Sequence, residues 1–295
     1  MRPTRSWMFV PGDKPRFLAK AATSEADVVL LDLEDGVLPG EKPAARGLVA
    51  AAVAQPEFAP IRYARINARS TPWFADDVDA VVRPGLAGIC LPKVEHPDEV
   101  RDLAARLEPL ETGYGLPVGS VAIVAAVESA AALLAAPAIA LAHERVAGLI
   151  FGGEDFALDI GLGTARTDEA AEMLHARSSM VIAAHAAKIL SIDGVFPDLD
   201  DPDGMDADTK QARRLGFTSK STFNPRQVAE INRIFAPQPD EVAYARRVVD
   251  AFQSAQQRGD ASVAVGGQLV DLPIVRRAER TLALASHDAD GGGSA

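Results

Sequence analysis

Short runs of aliphatic and β-branched residues recur along the chain: WMFV (7–10), VVLLDL (28–33), IRYARI (61–66), GICL (88–91), VAIVAAV (121–127), GLIFG (148–152), ILSIDGV (189–195) and FTSKSTF (217–223). Each reads as a strand. The stretches between them place apolar residues at helical spacing and predict helices around 14–23, 42–54, 73–82, 97–108, 129–142, 168–187, 208–215 and 225–235. Strands that alternate with helices form βα units and a parallel sheet. Near-continuous apolar strands are covered on both faces. Eight such units in about 235 residues fit an α/β protein built as a closed (β/α)8 TIM barrel better than an open doubly wound sheet. No glycine-rich dinucleotide fingerprint follows an early strand, which weakens the doubly wound alternative further.

Beyond residue 236 the pattern changes. PDEVAYARRVVDAFQSAQQ is an amphipathic helix, ASVAVGGQLVDLPIV a glycine-containing turn between apolar strips, and VRRAERTLALA a last short helix. The expected organisation is a barrel over 1–235, a C-terminal lid and subunit-contact segment over 236–287, and a flexible tail over 288–295 ending in GGGSA.

The polar positions after the strands carry the chemistry. They are PGDK after the first, Asp32, Glu34 and Asp35 after the second, and Arg65 and Asn67 after the third. Lys93 and Glu95, then Glu128, then Glu154 and Asp155 follow the next three, with Asp193 near the seventh and Asn224 after the eighth. In a barrel these positions converge on the C-terminal rim, where such barrels build their active sites. In VVLLDLEDGV, carboxylates at 32, 34 and 35 repel one another unless something positive lies among them. Alone, that run is a solvated acidic turn or a metal or substrate site; as part of a rim of functional groups it reads as the site.

Composition narrows the classes. The 295 residues are 48% hydrophobic and 24% charged, as in a soluble globular protein. Thirty basic against 41 acidic side chains leave a formal charge of −11, which argues against nucleic acid and anionic membranes as partners. Any phosphate-bearing ligand has to find a local basic patch. The single Cys90, inside GICLP, reads as a buried structural thiol rather than a nucleophile and rules out a disulfide framework, in keeping with a reducing cytoplasm. The N-terminal apolar stretch is too short for a signal peptide, and no run reaches the roughly 18 apolar residues of a membrane span.

Glu128 ends IVAAVE and Asp155 lies in FGGED, on successive strands, so the two carboxylates can meet at the rim. Oxygen ligands suit Mg²⁺, with Mn²⁺ as its substitute, the remaining positions filled by water and substrate; a structural ion pair is the alternative for either residue alone. His96, His143, His175, His185 and His287 show no ligand spacing with one another or with Cys90, which argues against zinc. Arg65 projects from a strand that otherwise reads as buried, so it has to be paired, either with Asp32 or Glu34 or with a substrate carboxylate or enolate oxygen, and both can hold at once. Lys14 and Arg16 begin a helix near the rim, a weak phosphate-binding signal. Lys93 in LPKVE fits a phosphate contact, a Schiff-base lysine or a plain ion-pair partner.

The set SWMFVPGDKPRF, VVLLDLEDGV, ARINA, LPKVE, AAVES, FGGEDFALDIG and VDLPIVRRA resembles, in order and over about residues 5–285, the citrate lyase beta-subunit-like family of the HpcH/HpaI aldolase and malyl-CoA lyase superfamily. The resemblance implies a TIM barrel, a trimer or hexamer, Mg²⁺, and making or breaking of a carbon–carbon bond between an acyl thioester and a 2-oxo acid. It implies Glu128 and Asp155 as metal ligands, Arg65 as the substrate and enolate-stabilising arginine, and Glu34 and Asp35 as the acidic pair near the metal water. The GGED backbone, Gly153, Glu154 and Asp155, would cradle the 2-oxo acid carboxylate. Asp271 in VDLP would be the catalytic aspartate delivered from a neighbouring subunit. With a coenzyme A thioester as substrate, the cations read above as phosphate contacts, Lys14, Arg16 and Lys93, are the expected coenzyme A-binding residues.

Two departures stand out. Many relatives carry IHP where this chain has TFNP, so Asn224 replaces an imidazole that could carry a proton. Gly36 replaces an alanine, a change expected to affect only loop packing. The leading expectation is a lyase of a 3-hydroxy dicarboxylyl-CoA of citramalyl, malyl or methylmalyl type. The alternatives are a citrate lyase beta subunit with an acyl-carrier-protein thioester, a CoA-independent 2-oxo acid aldolase, and a non-catalytic binding protein on the same barrel.

Overall fold

All five residues of Val28–Asp32 and all four of Gly88–Leu91 are buried, which is what the unbroken apolar runs require of strands covered on both faces. The computed structural model describes residues 4–163 and 170–291. Eight parallel strands close into one barrel: β1 Ser6–Pro11, β2 Val28–Asp32, β3 Ile61–Arg65, β4 Gly88–Leu91, β5 Ala122–Val127, β6 Val146–Phe151, β7 Leu190–Asp193 and β8 Ser219–Thr222. They pair in chain order, and β8 returns to β1. The TIM barrel expected from the alternation is therefore the fold.

The helices are α1 Pro15–Ala21, α2 Lys42–Ala54, α3 Phe74–Val81, α4 Pro97–Gly113, α5 Ala130–Ala140, α6 Gly153–Asp159, α7 Leu174–Ala187, α8 Pro202–Leu215 and α9 Val228–Phe235. Three differ from the pattern-based expectation for identifiable reasons. Helix α4 runs through Pro109 to Gly113, past the expected end at 108, and Glu111 in its last turns is locked by Arg145 with two hydrogen bonds of 2.7 Å. Helix α8 starts six residues before the expected 208: Asp201 accepts from the Gly204 N–H at 2.9 Å, and Pro202 opens the first turn. Helix α6 was not expected, being too short for a helical period to register. The predicted helix over 168–187 appears as α7; its first two positions lie outside the described residues.

The barrel interior is filled by Trp7, Val28, Leu30, Tyr63, Cys90, Val124, Ala126, Ile150 and Ile192. The rings of Trp7 and Tyr63 tilt against each other at 4.8 Å.

The chain divides into two compact units, Thr4–Asn232 and the segment from Arg233 onward. In the second, α10 Pro239–Gln257 and α11 Leu272–Gly291 pack around Val248, Phe252, Val270 and Val275. Between them β9 Val263–Val265 and β10 Gln268–Val270 form an antiparallel hairpin, where the sequence suggested only a turn. Gly266 and Gly267 close it with φ of 59° and 82°, backbone that glycine adopts freely. Helix α11 is longer than expected and continues into the segment from 288 that reads as a tail, because no helix breaker intervenes before the terminal glycines; residues 292–295 lie outside the described residues. Among the described residues no helix is long and apolar enough to cross a membrane.

Candidate active site

Strand side chains alternate between two faces, so the row that fills the barrel continues, two residues at a time, onto its C-terminal rim. Val28 and Leu30 lead to Asp32, Tyr63 to Arg65, Val124 and Ala126 to Glu128, and Ile150 to Gly152. There Phe9, Arg65, Ala126, Glu128, Gly153 and Asp155 line a pocket of about 500 Å³ including its open mouth.

Pairing of β2 with β3 sets Asp32 directly beside Arg65. The Arg65 Nε and Nη2 donors each meet an Asp32 carboxylate oxygen at 2.7 Å, a two-bond fork, and Nη1 lies 2.9 Å from Glu34 Oε2. The Phe9 ring sits 4.7 Å under the guanidinium. Asp32 also accepts from the backbone N–H groups of Glu34 and Gly36, at 2.9 and 3.0 Å. Burial by itself would raise the Asp32 carboxyl; the Arg65 charge and these donors overcome it and hold it below the usual range. Of the pairings open to Arg65, the one with Asp32 and Glu34 is made, and the residue also lines the pocket. Gly36 bears on the same carboxylate: a Cβ there would stand 2.4 Å from Asp32 Oδ2. The expectation that this position affects only loop packing is corrected, since it touches the group that holds Arg65.

Glu34 is buried, and among the described residues its carboxylate oxygens meet Arg65 and the Lys93 ammonium, the latter at 2.8 Å. Burial raises its carboxyl above the ordinary value, and the two cations do not fully offset that. Asp35 is exposed and 3.2 Å from the Lys93 ammonium. Lys93 is therefore engaged by two carboxylates, the ion-pair option among the three read from sequence. Burial works against its charge, but Glu34 and Asp35 more than compensate and hold it above the usual lysine range, so it stays protonated and is unsuited to Schiff-base chemistry.

Glu128 is 7% exposed, and one carboxylate oxygen accepts the Lys93 backbone N–H at 2.8 Å. Burial and the charge of Glu34, with Asp155 adding to them, push its carboxyl up to about 7 against the pull of Arg65 and the Lys93 N–H. Gly152 makes room for it: a Cβ there would fall 2.7 Å from Glu128 Oε1. Asp155, in the first turn of α6, makes no hydrogen bond or ion pair among the described residues. A buried, proton-hungry carboxylate beside a second, unpaired one fits a hard divalent cation, which takes one or two carboxylates and completes its shell with water and substrate. No larger group of His, Cys, Asp or Glu poised to hold a metal occurs among the described residues.

Gly153 and Glu154 share the pocket wall with Asp155. Lys14 and Arg16 are exposed at the start of α1, on the same rim, and Lys14 pairs with Asp13. Asn224 starts the turn after β8; its side-chain oxygen accepts the Arg226 N–H at 3.1 Å, an N-capping role that needs no titratable group. His96 caps α4 in the same way, at Asp98 N–H. Asp271 lies in the second unit at the head of α11, where its backbone carbonyl accepts from Ile274 and Val275.

One buried charged network escaped the sequence reading. Lys220, from β8, donates to Asp193 and Asp208 at 2.6 Å each and to the Gly194 carbonyl at 2.8 Å, while Arg177 forks onto Asp193 and reaches Asp208 at 2.9 Å. Two cations and two anions thus neutralise one another next to Gly153. The signal was there: a lysine inside FTSKSTF raises the same question that Arg65 raised in IRYARI.

A profile of the HpcH/HpaI aldolase/citrate lyase family matches residues 5–225. The chain is 37% identical over 283 residues to the citrate lyase subunit beta of Leuconostoc mesenteroides subsp. cremoris, covering 96% of this chain and 93% of that one. It is 34% identical over 298 residues to an L-malyl-CoA/beta-methylmalyl-CoA lyase of Cereibacter sphaeroides, covering 94% and 93%. Among solved structures, the CitE protein of Mycobacterium tuberculosis in complex with magnesium, acetoacetate and coenzyme A superposes with a TM-score of 0.80 at 32% identity, covering 96% of this chain and 98% of that one. With the barrel, the rim chemistry and these likenesses in agreement over nearly its whole length, the chain belongs to the HpcH/HpaI aldolase/citrate lyase family.

Proposed function

We propose that this protein is a Mg²⁺-dependent carbon–carbon lyase that cleaves, or forms, a 3-hydroxy dicarboxylyl-CoA thioester of citramalyl, malyl or β-methylmalyl type, the other product being a 2-oxo acid. The observation that carries the reading is the arginine Arg65, fixed by Asp32 and Glu34, on one pocket with the carboxylates of Glu128 and Asp155. The Mycobacterium tuberculosis protein crystallised with magnesium, acetoacetate and coenzyme A supports the same ligand classes here.

In cleavage the 3-hydroxyl would pass its proton to the acidic pair of Glu34 and Asp35 as the bond between carbons 2 and 3 breaks, and the electron pair of that bond passes into the thioester carbonyl as an enolate. Glu128 and Asp155 would hold Mg²⁺, and the ion would supply Lewis-acid polarisation of the oxygen that becomes the ketone. Arg65, preorganised by its fork, donates hydrogen bonds to the enolate oxygen. The backbone of Gly153, Glu154 and Asp155 would receive the carboxylate of the 2-oxo acid. Asp271 would protonate the enolate carbon in cleavage and remove that proton in condensation, delivered from a neighbouring subunit of a trimer or hexamer. The exposed Arg16, and Lys14 beside its partner Asp13, would meet coenzyme A phosphates.

A second reading, a citrate lyase beta subunit with its thioester on an acyl-carrier protein, is favoured by the 37% identity to that subunit of Leuconostoc mesenteroides. Mass spectrometry of purified protein with Mg²⁺ and citramalyl-, malyl- and β-methylmalyl-CoA separates the two. Cleavage to acyl-CoA and a 2-oxo acid, lost with EDTA and in Asp155→Ala and Asp271→Ala, supports the CoA lyase. No turnover of any CoA thioester, by protein that still binds Mg²⁺ and a 2-oxo acid, shifts the substrate to a carrier-protein thioester.

A further inference from the structure

The residue that joins the two halves of this site is Lys93. Its φ is 53°, in the left-handed region that a lysine rarely occupies, although the turn after β4 has no structural need of it that a glycine would not meet better. Such outliers persist where the surroundings over-determine them, and here the conformation makes two contacts at once. The backbone N–H reaches Glu128 Oε2 at 2.8 Å, and the ammonium, thrown to the other side, reaches Glu34 Oε1 at 2.8 Å and Asp35 at 3.2 Å. The remaining Glu34 oxygen lies 2.9 Å from Arg65 Nη1. One continuous line of contacts therefore runs from Glu128 through the Lys93 backbone and side chain to Glu34 and Arg65.

We propose that Lys93 is a positioning residue of the lyase site, its backbone N–H aiming the metal-binding carboxylate of Glu128 and its ammonium sharing the charge of Glu34 so that Arg65 stays turned to the pocket. The proposal rests on the reading of Glu128 and Arg65 given above. Without the ammonium, the buried Glu34 carboxylate keeps Arg65 as its direct ion-pair partner, with Lys42 held at the Glu34 backbone carbonyl at 2.9 Å, and draws Nη1 away from the place where enolate charge develops. Without the left-handed turn, the N–H leaves Glu128 and the carboxylate loses its aim.

The two contributions separate by substitution. Lys93→Gly and Lys93→Asn keep a residue at home in the left-handed region but remove the ammonium; Lys93→Val disfavours the turn itself. Thermal melting, calorimetric titration with MgCl₂ alone, and kcat and KM for the thioester that the unsubstituted protein cleaves are the readouts. For Gly and Asn the expected result is an unchanged melting temperature, Mg²⁺ binding at least as tight as before because a nearby positive charge is gone, an unchanged KM, and a kcat lower by about 10–100-fold. For Val, Mg²⁺ binding weakens by about 10–100-fold. Should Val melt below the assay temperature, Lys93→Ala carries the same comparison.

Normal kcat in both Gly and Asn overturns the role of the ammonium, as does a kcat loss matched by a fall in melting temperature. Mg²⁺ binding by folded Val that equals the original overturns the role of the turn. If the unsubstituted protein cleaves no thioester, the reaction assigned above falls, and the Mg²⁺ titrations still decide whether Lys93 aims Glu128.

Discussion

At the scale of single residues, the site is organised around a guanidinium whose donors are mostly spoken for. Asp32 takes two Arg65 donors at 2.7 Å and leaves the remaining face to Glu34 and the pocket. A lysine has the charge but not the planar fork, so Arg65→Lys would answer Asp32 or the substrate, not both. Its kcat should fall by about 10²–10³-fold, the usual loss for one transition-state donor, while calorimetric Mg²⁺ binding stays within a few-fold. Equal turnover by Arg65→Lys would mean that the arginine is structural. The need to pair Arg65 was legible because a charge in an apolar strand has few options. How its partners divide the guanidinium depended on the β2–β3 register, which sets Asp32 directly opposite it for the two-bond fork and leaves Nη1 to Glu34.

At the scale of elements, a second ion pair ties the barrel's outer layer together. Arg145, just before β6, meets Glu111 in the last turns of α4 with two 2.7 Å bonds, and Glu111 also accepts from the N–H groups of Gly119 and Val121 ahead of β5. Both side chains are almost wholly buried. Removing one partner strands the other, so Glu111→Gln should cost roughly 3–5 kcal/mol in a denaturant melt. A loss well below 1 kcal/mol would show that water reaches the pair. The same group predicts an acid response. Burial would raise its carboxyl, but Arg145 and the backbone donors bring it down to about 2 from an ordinary 4.5. A folded-state value below the unfolded one means stability that is complete above about 4.5 and lost as pH falls toward 2. Acid titration of the melting temperature should therefore show a steeper decline over that window in the original protein than in Glu111→Gln. Helix α4 illustrates why element ends were harder to read than elements: it continues beyond the expected 108, through Pro109, into turns held by a contact more than thirty positions away.

At the scale of the whole molecule, the proposed catalysis needs residues from two compact units, Arg65, Glu128 and Asp155 in the barrel and Asp271 in the C-terminal unit. If Asp271 acts on a neighbouring subunit's barrel, two defects can cure each other. Asp155→Ala and Asp271→Asn, inactive alone, should regain turnover when co-expressed, because a mixed oligomer contains barrels with intact Asp155 faced by an intact Asp271. Silence of the mixture, with mixed oligomers verified by mass spectrometry, would place Asp271 on its own barrel or outside catalysis. Metal dependence belongs to this scale as well: EDTA should abolish turnover and Mg²⁺ restore it, whereas activity retained after exhaustive chelation would remove Glu128 and Asp155 from a metal-binding role.

The chain's own pattern determined the barrel, since eight apolar runs spaced by amphipathic segments have few other ways to bury both faces of every strand. It also determined which end of the strands carries the chemistry and that Arg65, Glu34, Glu128 and Asp155 belong together, because polar residues stranded at the ends of buried strands need partners. Tertiary structure alone decided how those partners are shared. Closure of the barrel brings strands distant in sequence to within hydrogen-bond reach, so the fork of Asp32 on Arg65, the Lys93 bridge to Glu34 and Glu128, and the neutral network of Lys220, Arg177, Asp193 and Asp208 are set by register and by a single left-handed turn. Periodicity has no access to either, since it records which face a residue takes and not what stands opposite.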